Sequence, residues 1–367
     1  MINNAPMVRL GDYIAESEER NRNLTVKLSQ GISNLKFFQE PKQVAENSKS
    51  DKIVRSGQFA YNRATTRNGE KISIAYRDGE DCTVSSAYGV FYITRTNELD
   101  PQYLMLFFKR AEFDRYARWR SEGSAHEFFT FEMMQNVEIP LPNIETQRAL
   151  VAVYNGLQKV IADNEALIRQ MEEVCHAFVV DCKTKYPKVK LGEWITECDE
   201  RNSDLSVKLS QGISNLKYFQ APKQVAENSK SDKIVRKGHF AYNRATTRNG
   251  EKISIAYRDG EDCTVSSAYG VFKITNEEKL NPYFLMMFFK RVEFDRYARW
   301  RSEGSAHEFF TFEMMQNVEI PFPSIEIQRA IAEIYIACDR SKRIVQETQE
   351  LMKNLCPALV QKAAHSA

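Results

Sequence analysis

Slid along itself by 181 residues, the chain carries Val8-Arg9-Leu10-Gly11-Asp12 onto Val189-Lys190-Leu191-Gly192-Glu193 and continues without a gap to Cys175 on Cys356. Over residues 26–94 only five positions change: Phe37/Tyr218, Glu40/Ala221, Ser56/Lys237, Gln58/His239 and Tyr92/Lys273. Over residues 107–140 there is one, Ala111/Val292. Short solenoid repeats need three or more copies to bury a core, so two long copies mean two globular halves. Divergence collects at the ends of each unit, notably residues 149–180 against 330–361.

Each copy reads as mixed α and β. Lys52-Ile53-Val54-Arg55, residues 71–76 and residues 87–93 have strand character, with Arg67-Asn68-Gly69 and Arg77-Asp78-Gly79 as turns. Asp100-Pro101 opens a helix whose body, residues 102–120, buries Leu104, Phe107, Phe108, Phe113 and Tyr116 at helical spacing. After Pro140-Leu141-Pro142, Asn143 can cap a further helix with Glu145 in its first turn; Ser324 and Glu326 repeat this after Pro321-Phe322-Pro323.

Those last helices are long. Val153, Leu157, Val160, Asn164, Leu167, Met171, Val174 and Phe178 step 4-3-4-3-4-3-4, as do Ile334, Cys338, Ser341, Val345, Thr348, Met352, Leu355 and Leu359. Each set is a coiled-coil seam, and the polar Asn164, Ser341 and Thr348 within it favour one register. A helix over residues 144–182 would be ~58 Å long, too long for one small module to cover, so the partner expected is the other tail. Pro357 should kink or end the second helix near Lys353. The expected class is therefore α+β: two pseudo-twofold-related mixed α/β modules separated by a pair of long antiparallel coiled-coil helices. The boundaries fall at residues 1–143, 144–187, 188–324 and 325–367.

Composition excludes several classes. Apolar residues at 43% and charged residues at 27% describe a globular chain. No apolar run approaches the ~18–20 residues of a membrane helix, and residues 1–10 lack a secretory core, so a cytoplasmic location is the default expectation. Seven cysteines, odd in number and without CxxC, argue against a disulfide framework and a zinc knuckle. A net charge of only +2 means that any nucleic-acid surface must be local.

Three segments, each present twice, then carry a resemblance. They are Gly57-Gln58-Phe59-Ala60-Tyr61-Asn62-Arg63, Val84-Ser85-Ser86-Ala87-Tyr88-Gly89-Val90-Phe91 and Ile139-Pro140-Leu141-Pro142-Asn143-Ile144-Glu145-Thr146-Gln147-Arg148, with second copies at 238–244, 265–272 and 320–329. In this combination the chain resembles, over its full length, the specificity (S) subunit of bacterial type I restriction-modification systems. The resemblance implies two target-recognition domains alternating with two helical spacers, and a non-catalytic reader of double-stranded DNA that binds no cofactor. Its implied partners are two DNA methyltransferase (modification) subunits and, in a full complex, ATP-dependent restriction subunits. One departure stands out: members of that family usually carry dissimilar recognition domains, whereas these two are nearly the same.

Within that frame, the turn at residues 61–69 offers donors suited to DNA: Tyr61, Asn62, Arg63, Thr65, Thr66, Arg67 and Asn68, repeated as Tyr242, Asn243, Arg244, Thr246, Thr247, Arg248 and Asn249. Arginine can fork onto guanine, asparagine can pair with adenine, and threonine can hold phosphate. The bland alternative is a solvated hairpin. A second candidate edge comprises Arg118, Arg120, Ser124 and His126, repeated as Arg299, Arg301, Ser305 and His307, with Trp119 expected in the core. Residues 26–94 hold ten basic residues against seven acidic ones, and Lys36, Lys52, Lys217 and Lys233 are candidate phosphate contacts.

Enzyme motifs fail on the internal comparison. Asn281-Pro282-Tyr283-Phe284 imitates a methyltransferase loop, but the first copy reads Asp100-Pro101-Gln102-Tyr103, and no Gly-rich cofactor loop follows a strand. Asp262, Glu277 and Lys279 imitate a nuclease set that the first copy replaces by Asp81, Thr96 and Glu98. No GxxxxGK[ST] loop occurs. A self-contained methyltransferase or nuclease, and a two-domain RNA-binding or scaffold protein, remain the competing classes.

Overall fold

The computed structural model describes residues 5–41, 48–64, 71–123, 127–222, 229–245, 252–304 and 308–364. They divide into two compact units, residues 1–162 with 345–367, and residues 163–344. In the first unit the order is β1 (Met7–Arg9), β2 (Ile14–Glu16), β3 (Gly31–Ile32), β4 (Phe38–Gln39), β5 (Lys52–Val54), β6 (Gln58–Asn62), β7 (Ile74–Tyr76), β8 (Cys82–Val84) and β9 (Tyr88–Ile93). Then come α1 (Pro101–Phe108), α2 (Ala111–Arg120), α3 (Phe131–Gln135), β10 (Glu138–Pro140) and α4 (Ile144–Lys185), the last running on into the second unit.

A four-stranded antiparallel sheet in the order β2-β9-β6-β7 forms the centre. Alternation along its strands sends Phe59, Tyr61 and Phe91 to one face, where α1 and α2 add Leu104, Phe107, Phe108 and Phe113. Phe59 and Phe91 stack at 4.9 Å between centroids. Ala60 and Val90 face the other side and join Ile32, Val54, Cys82 and Val84. Gly89 is required by this packing, because a Cβ there would lie 2.3 Å from the buried ring of Tyr61.

The helix expected over residues 102–120 is two helices. Asp100 caps α1 by accepting from the N–H groups of Gln102 (2.8 Å) and Tyr103 (3.0 Å). Extended backbone at Arg110 (ψ 143°) ends the first helical run and starts α2 afresh, which sets Phe113 against Phe108 at 4.7 Å.

The proline-rich motif has a mechanical explanation. Gln147 is fully buried: its side-chain amide donates to Glu98 O and Pro142 O at 2.8 Å, and its Oε1 accepts from Asp100 N at 2.9 Å. One glutamine thus locks the start of α4 to the start of α1. Gln328 repeats this with Lys279, Pro323 and Asn281.

The second unit repeats the sequence of elements as β11 (Lys188–Lys190), β12 (Ile195–Glu197), β13 (Gly212–Ile213), β14 (Phe219–Gln220), β15 (Lys233–Val235), β16 (His239–Asn243), β17 (Ile255–Tyr257), β18 (Cys263–Val265) and β19 (Tyr269–Ile274). They are followed by α5 (Pro282–Phe289), α6 (Val292–Arg301), α7 (Phe312–Gln316), β20 (Glu319–Pro321) and α8 (Ile325–Lys353). The central sheet is β12-β19-β16-β17. After α8 the chain breaks and resumes as α9 (Leu355–Ala364), where the proline was expected to interrupt it.

Within each unit, helix tails from the two repeats pack together. In the first, α9 supplies Cys356, Leu359, Val360 and Ala363 to the core beside α1, and Gln158 reaches Met352 Sδ at 3.7 Å. In the second, Cys175, Phe178 and Val179 of α4 pack on the core, and Lys342 pairs with Glu172 at 2.6 Å. These pairings run antiparallel. The seam on α8 and α9 is the one expected. On α4 it differs: Val153, Val160, Leu167 and Val174 are 38–50% exposed, and the inward positions are Tyr154, Ile161, Ile168 and Cys175, together with Leu157, Asn164, Met171 and Phe178. Each outward residue sits next to an equally apolar inward one, so spacing alone cannot choose between the two columns.

Candidate nucleic-acid interface

Helix α2 organises the loops that carry the candidate residues. Asp114 on its inner face is buried and accepts from Lys36 Nζ at 2.6 Å and from Ile72 N at 3.2 Å. Lys36 stands at the tip of the β3–β4 hairpin with a left-handed backbone (φ 68°), and its ammonium also donates to Phe108 O. This carboxylate therefore fixes both the hairpin tip and the chain re-entering the sheet after residue 70. The second unit repeats it: Lys217 Nζ meets Asp295 at 2.5 Å, and Ile253 N donates to Asp295 at 3.2 Å. Burial pulls both ammonium groups below the usual lysine value, and the paired aspartates oppose it.

From the other end of α2, the segment after Glu122 folds back so that Phe128 bridges both Glu122 and Ala64. Phe129 N donates to Arg63 O at 2.8 Å. The described ends of the two candidate segments, at Arg63 and at Glu122, are thus tied together through Phe128 and Phe129. Gly123 holds the turn with φ 141°, a value that favours glycine. In the second unit, Phe310 N donates to Arg244 O at 2.8 Å, and Arg244, Glu303, Gly304, Phe309, Thr311 and Met314 line a recess.

Arg63 is half-buried at the rim, donating through Nε to Ala87 O at 2.9 Å and through Nη2 to Ser86 O at 3.4 Å. Arg244 does the same with Ala268 and Ser267. These contacts pin the guanidinium against the turn before β9 while engaging two of its five N–H donors. Asn62 and Asn243 each accept the backbone N–H two residues on, at 3.1 Å, shaping the turn. Arg118 and Arg299 are exposed near the end of α2 and α6, with Arg120 and Arg301 half-buried two residues further. Thr65, Thr66, Arg67, Asn68, Ser124 and His126, and Thr246, Thr247, Arg248, Asn249, Ser305 and His307, lie outside the described residues.

Four expectations are corrected. Lys36 and Lys217 are 6% and 5% exposed and consumed by the aspartate, so they are anchors rather than phosphate contacts. Lys52 and Lys233 are equally buried, their ammonium groups held by Glu18 at 2.6 Å and Asp199 at 2.8 Å. Tyr61 and Tyr242 are inside the core, where burial pushes their hydroxyls far above the usual phenol value. Trp119 and Trp300, expected in the core, are 75% exposed. Sequence reasoning also passed over Asp114 and Asp295, whose only signal is an acid on the apolar face of a helix. Among the described residues no cluster of three or more His, Cys, Asp or Glu could hold a metal ion.

Residues 185–353 match the family model described as type I restriction modification DNA specificity domain. The S subunit of a type I system from M. genitalium has the same fold, with a TM-score of 0.60 at 13% identity over 99% of this chain and 97% of that one. A structure described as the HsdS subunit from Thermoanaerobacter tengcongensis aligns at 19% identity and TM-score 0.45, over 99% and 97% of the two chains. No curated protein matches the sequence significantly. The first repeat is nearly identical in sequence to the matched one over residues 26–94 and 107–140. The matched segment spans the second repeat and its spacer helix. No described helix is long and apolar enough to cross a membrane.

Proposed function

We propose that this chain reads an interrupted palindrome in duplex DNA, each target-recognition domain (residues 1–143 and 188–324) recognising the same short word on opposite strands. The observation that carries this is the identity of the two candidate surfaces. Arg63 and Arg244, Asn62 and Asn243, and the segments after α2 and α6 share sequence, partners and distances. The duplication supplies one such surface for each half-site. Half-site centres one helical turn apart, ~10–10.5 bp, leave an unread spacer of roughly 5–8 bp.

The chain itself performs no catalysis in this reading. Two modification subunits dock on the spacer helices, residues 144–187 and 325–367, and ATP-dependent restriction subunits join through the assembled complex. The exposed heptad column supports the docking. Val153, Val160 and Leu351 in the first unit, and Leu167, Val174 and Ile344 in the second, leave apolar side chains outside the seam at seven-residue spacing. Selecting duplexes from a random pool with the chain and its methyltransferase partner tests the proposal. An inverted repeat with a fixed gap is expected, and methyl transfer by the purified chain alone would refute the non-catalytic role.

A further inference from the structure

A tryptophan left mostly in water forgoes the large burial that its ring could supply to a core. At 75% exposure Trp119 and Trp300 are the most exposed large apolar side chains among the described residues. They are nonetheless held in place. Phe129, fully buried, packs edge-on against Tyr116 at 6.4 Å, and Tyr116 braces Trp119 at 6.3 Å. From another side the Arg120 guanidinium carbon lies 5.6 Å from the indole centroid. Rings at Phe310, Tyr297 and Trp300, with Arg301 at 5.5 Å, repeat the arrangement. A propped indole presenting its surface to water has already lost much of the freedom that binding would remove.

Its neighbours define what would cover it. Arg118 precedes it, Arg120 follows it, and the segment beginning at Glu122 leads to Phe128, 44% exposed and bridged to Ala64 beside Arg63. A guanidinium against a flat apolar plate complements the sugar–base surface of a duplex framed by phosphates.

Resting on the DNA-reading function above, we propose that Trp119 and Trp300 are DNA-contact residues, each packing its indole against the bases or sugars of its own half-site. The duplication supplies one plate per half-site. Loss of about tenfold in affinity is expected for each plate removed.

The test uses the full chain with Trp194→Phe, which leaves Trp119 and Trp300 as its tryptophans. Iodide quenching of their emission is compared with and without a duplex selected from the random pool, and binding is followed separately by anisotropy of the labelled duplex. Protection of both indoles by DNA, with Trp119→Ala and Trp300→Ala weakening binding about tenfold and Trp→Phe restoring most of it, is the expected result. Binding with full affinity and no protection would overturn the contact while leaving DNA reading intact. Protection that appears only when the modification subunit is added without DNA would assign the plates to a protein interface instead. Absence of duplex binding under every condition would sink the underlying reading itself.

Discussion

Strand β6 and its copy β16 are alike at one end and different at the other. At the first end, Asn62-Arg63 and Asn243-Arg244 keep the same carbonyl partners within 0.1 Å. At the opposite end, Gln58 pairs with Tyr92 across the sheet, whereas His239 pairs with Lys273. Ser56 and Lys237 precede those positions in the incoming turn, and the next strand adds Ala15 opposite Tyr92 but Thr196 opposite Lys273. Three of the five changes in the near-identical stretch therefore form one patch, away from the candidate DNA surface. Scattered substitutions would have touched both ends. The contrast separates a surface whose geometry is kept in both copies from one whose residues differ between the units.

The buried lysine–aspartate anchors should behave alike in both copies, and breaking them should have the largest effect. Asp114→Ala and Asp295→Ala each leave a buried ammonium without its carboxylate, costing ~3–5 kcal/mol. Urea unfolding should show comparable losses for the two variants; a much smaller loss in either would mean that its lysine escapes to water.

The exposed heptad column allows the units to be separated. Leu167→Glu with Val174→Glu in the second unit forfeits ~1.5–3 kcal/mol of apolar burial per side chain at a docked interface. Mass measurement of the assembled complex should then find one modification subunit where two are expected with the unsubstituted chain, with Val153→Glu and Val160→Glu removing the other. Unchanged stoichiometry would place docking elsewhere.

At the reading end, Arg63→Ala and Arg244→Ala should each weaken binding of the selected duplex by ~1–3 kcal/mol and relax choice at the same position of each half-site. If affinity fell equally for every sequence and the salt dependence became shallower, the guanidinium would be a phosphate contact.

The smallest effect belongs to the divergent patch. Burial, with Lys273 and Arg236, holds the His239 imidazole below its usual value against the opposing pull of Glu200 and Asp262. The unfolded chain then binds the proton more readily. Stability should fall as pH drops through the unfolded value, about 6.5, toward the folded one. His239→Gln, the residue already present at position 58, should abolish that component of the pH dependence in urea unfolding. An identical profile in the variant would mean that the imidazole titrates normally.

How much of this was legible depended on whether a residue's partner was local. The cap at Asp100, the helix start behind Pro142 and the break before Pro357 follow from neighbouring residues, and the sequence shows them. Gln147 was visible as part of a motif, but its role needs Glu98 and Asp100, brought to it by folding. Lys36 and Lys52 looked like surface cations because their carboxylates lie 78 and 34 positions away. Trp119 looked like core because large aromatics usually are, and only the direction of α2 reveals that it faces water. The seam on α4 was half misplaced because two adjacent apolar columns share one heptad spacing.

Sequencing the methylated bases in a cell that carries this chain with its modification subunit addresses the central claim most directly. Two identical half-sites in inverted orientation, separated by a fixed gap and modified at equivalent bases on the two strands, are predicted. Two unrelated half-sites, or a direct repeat, would contradict it.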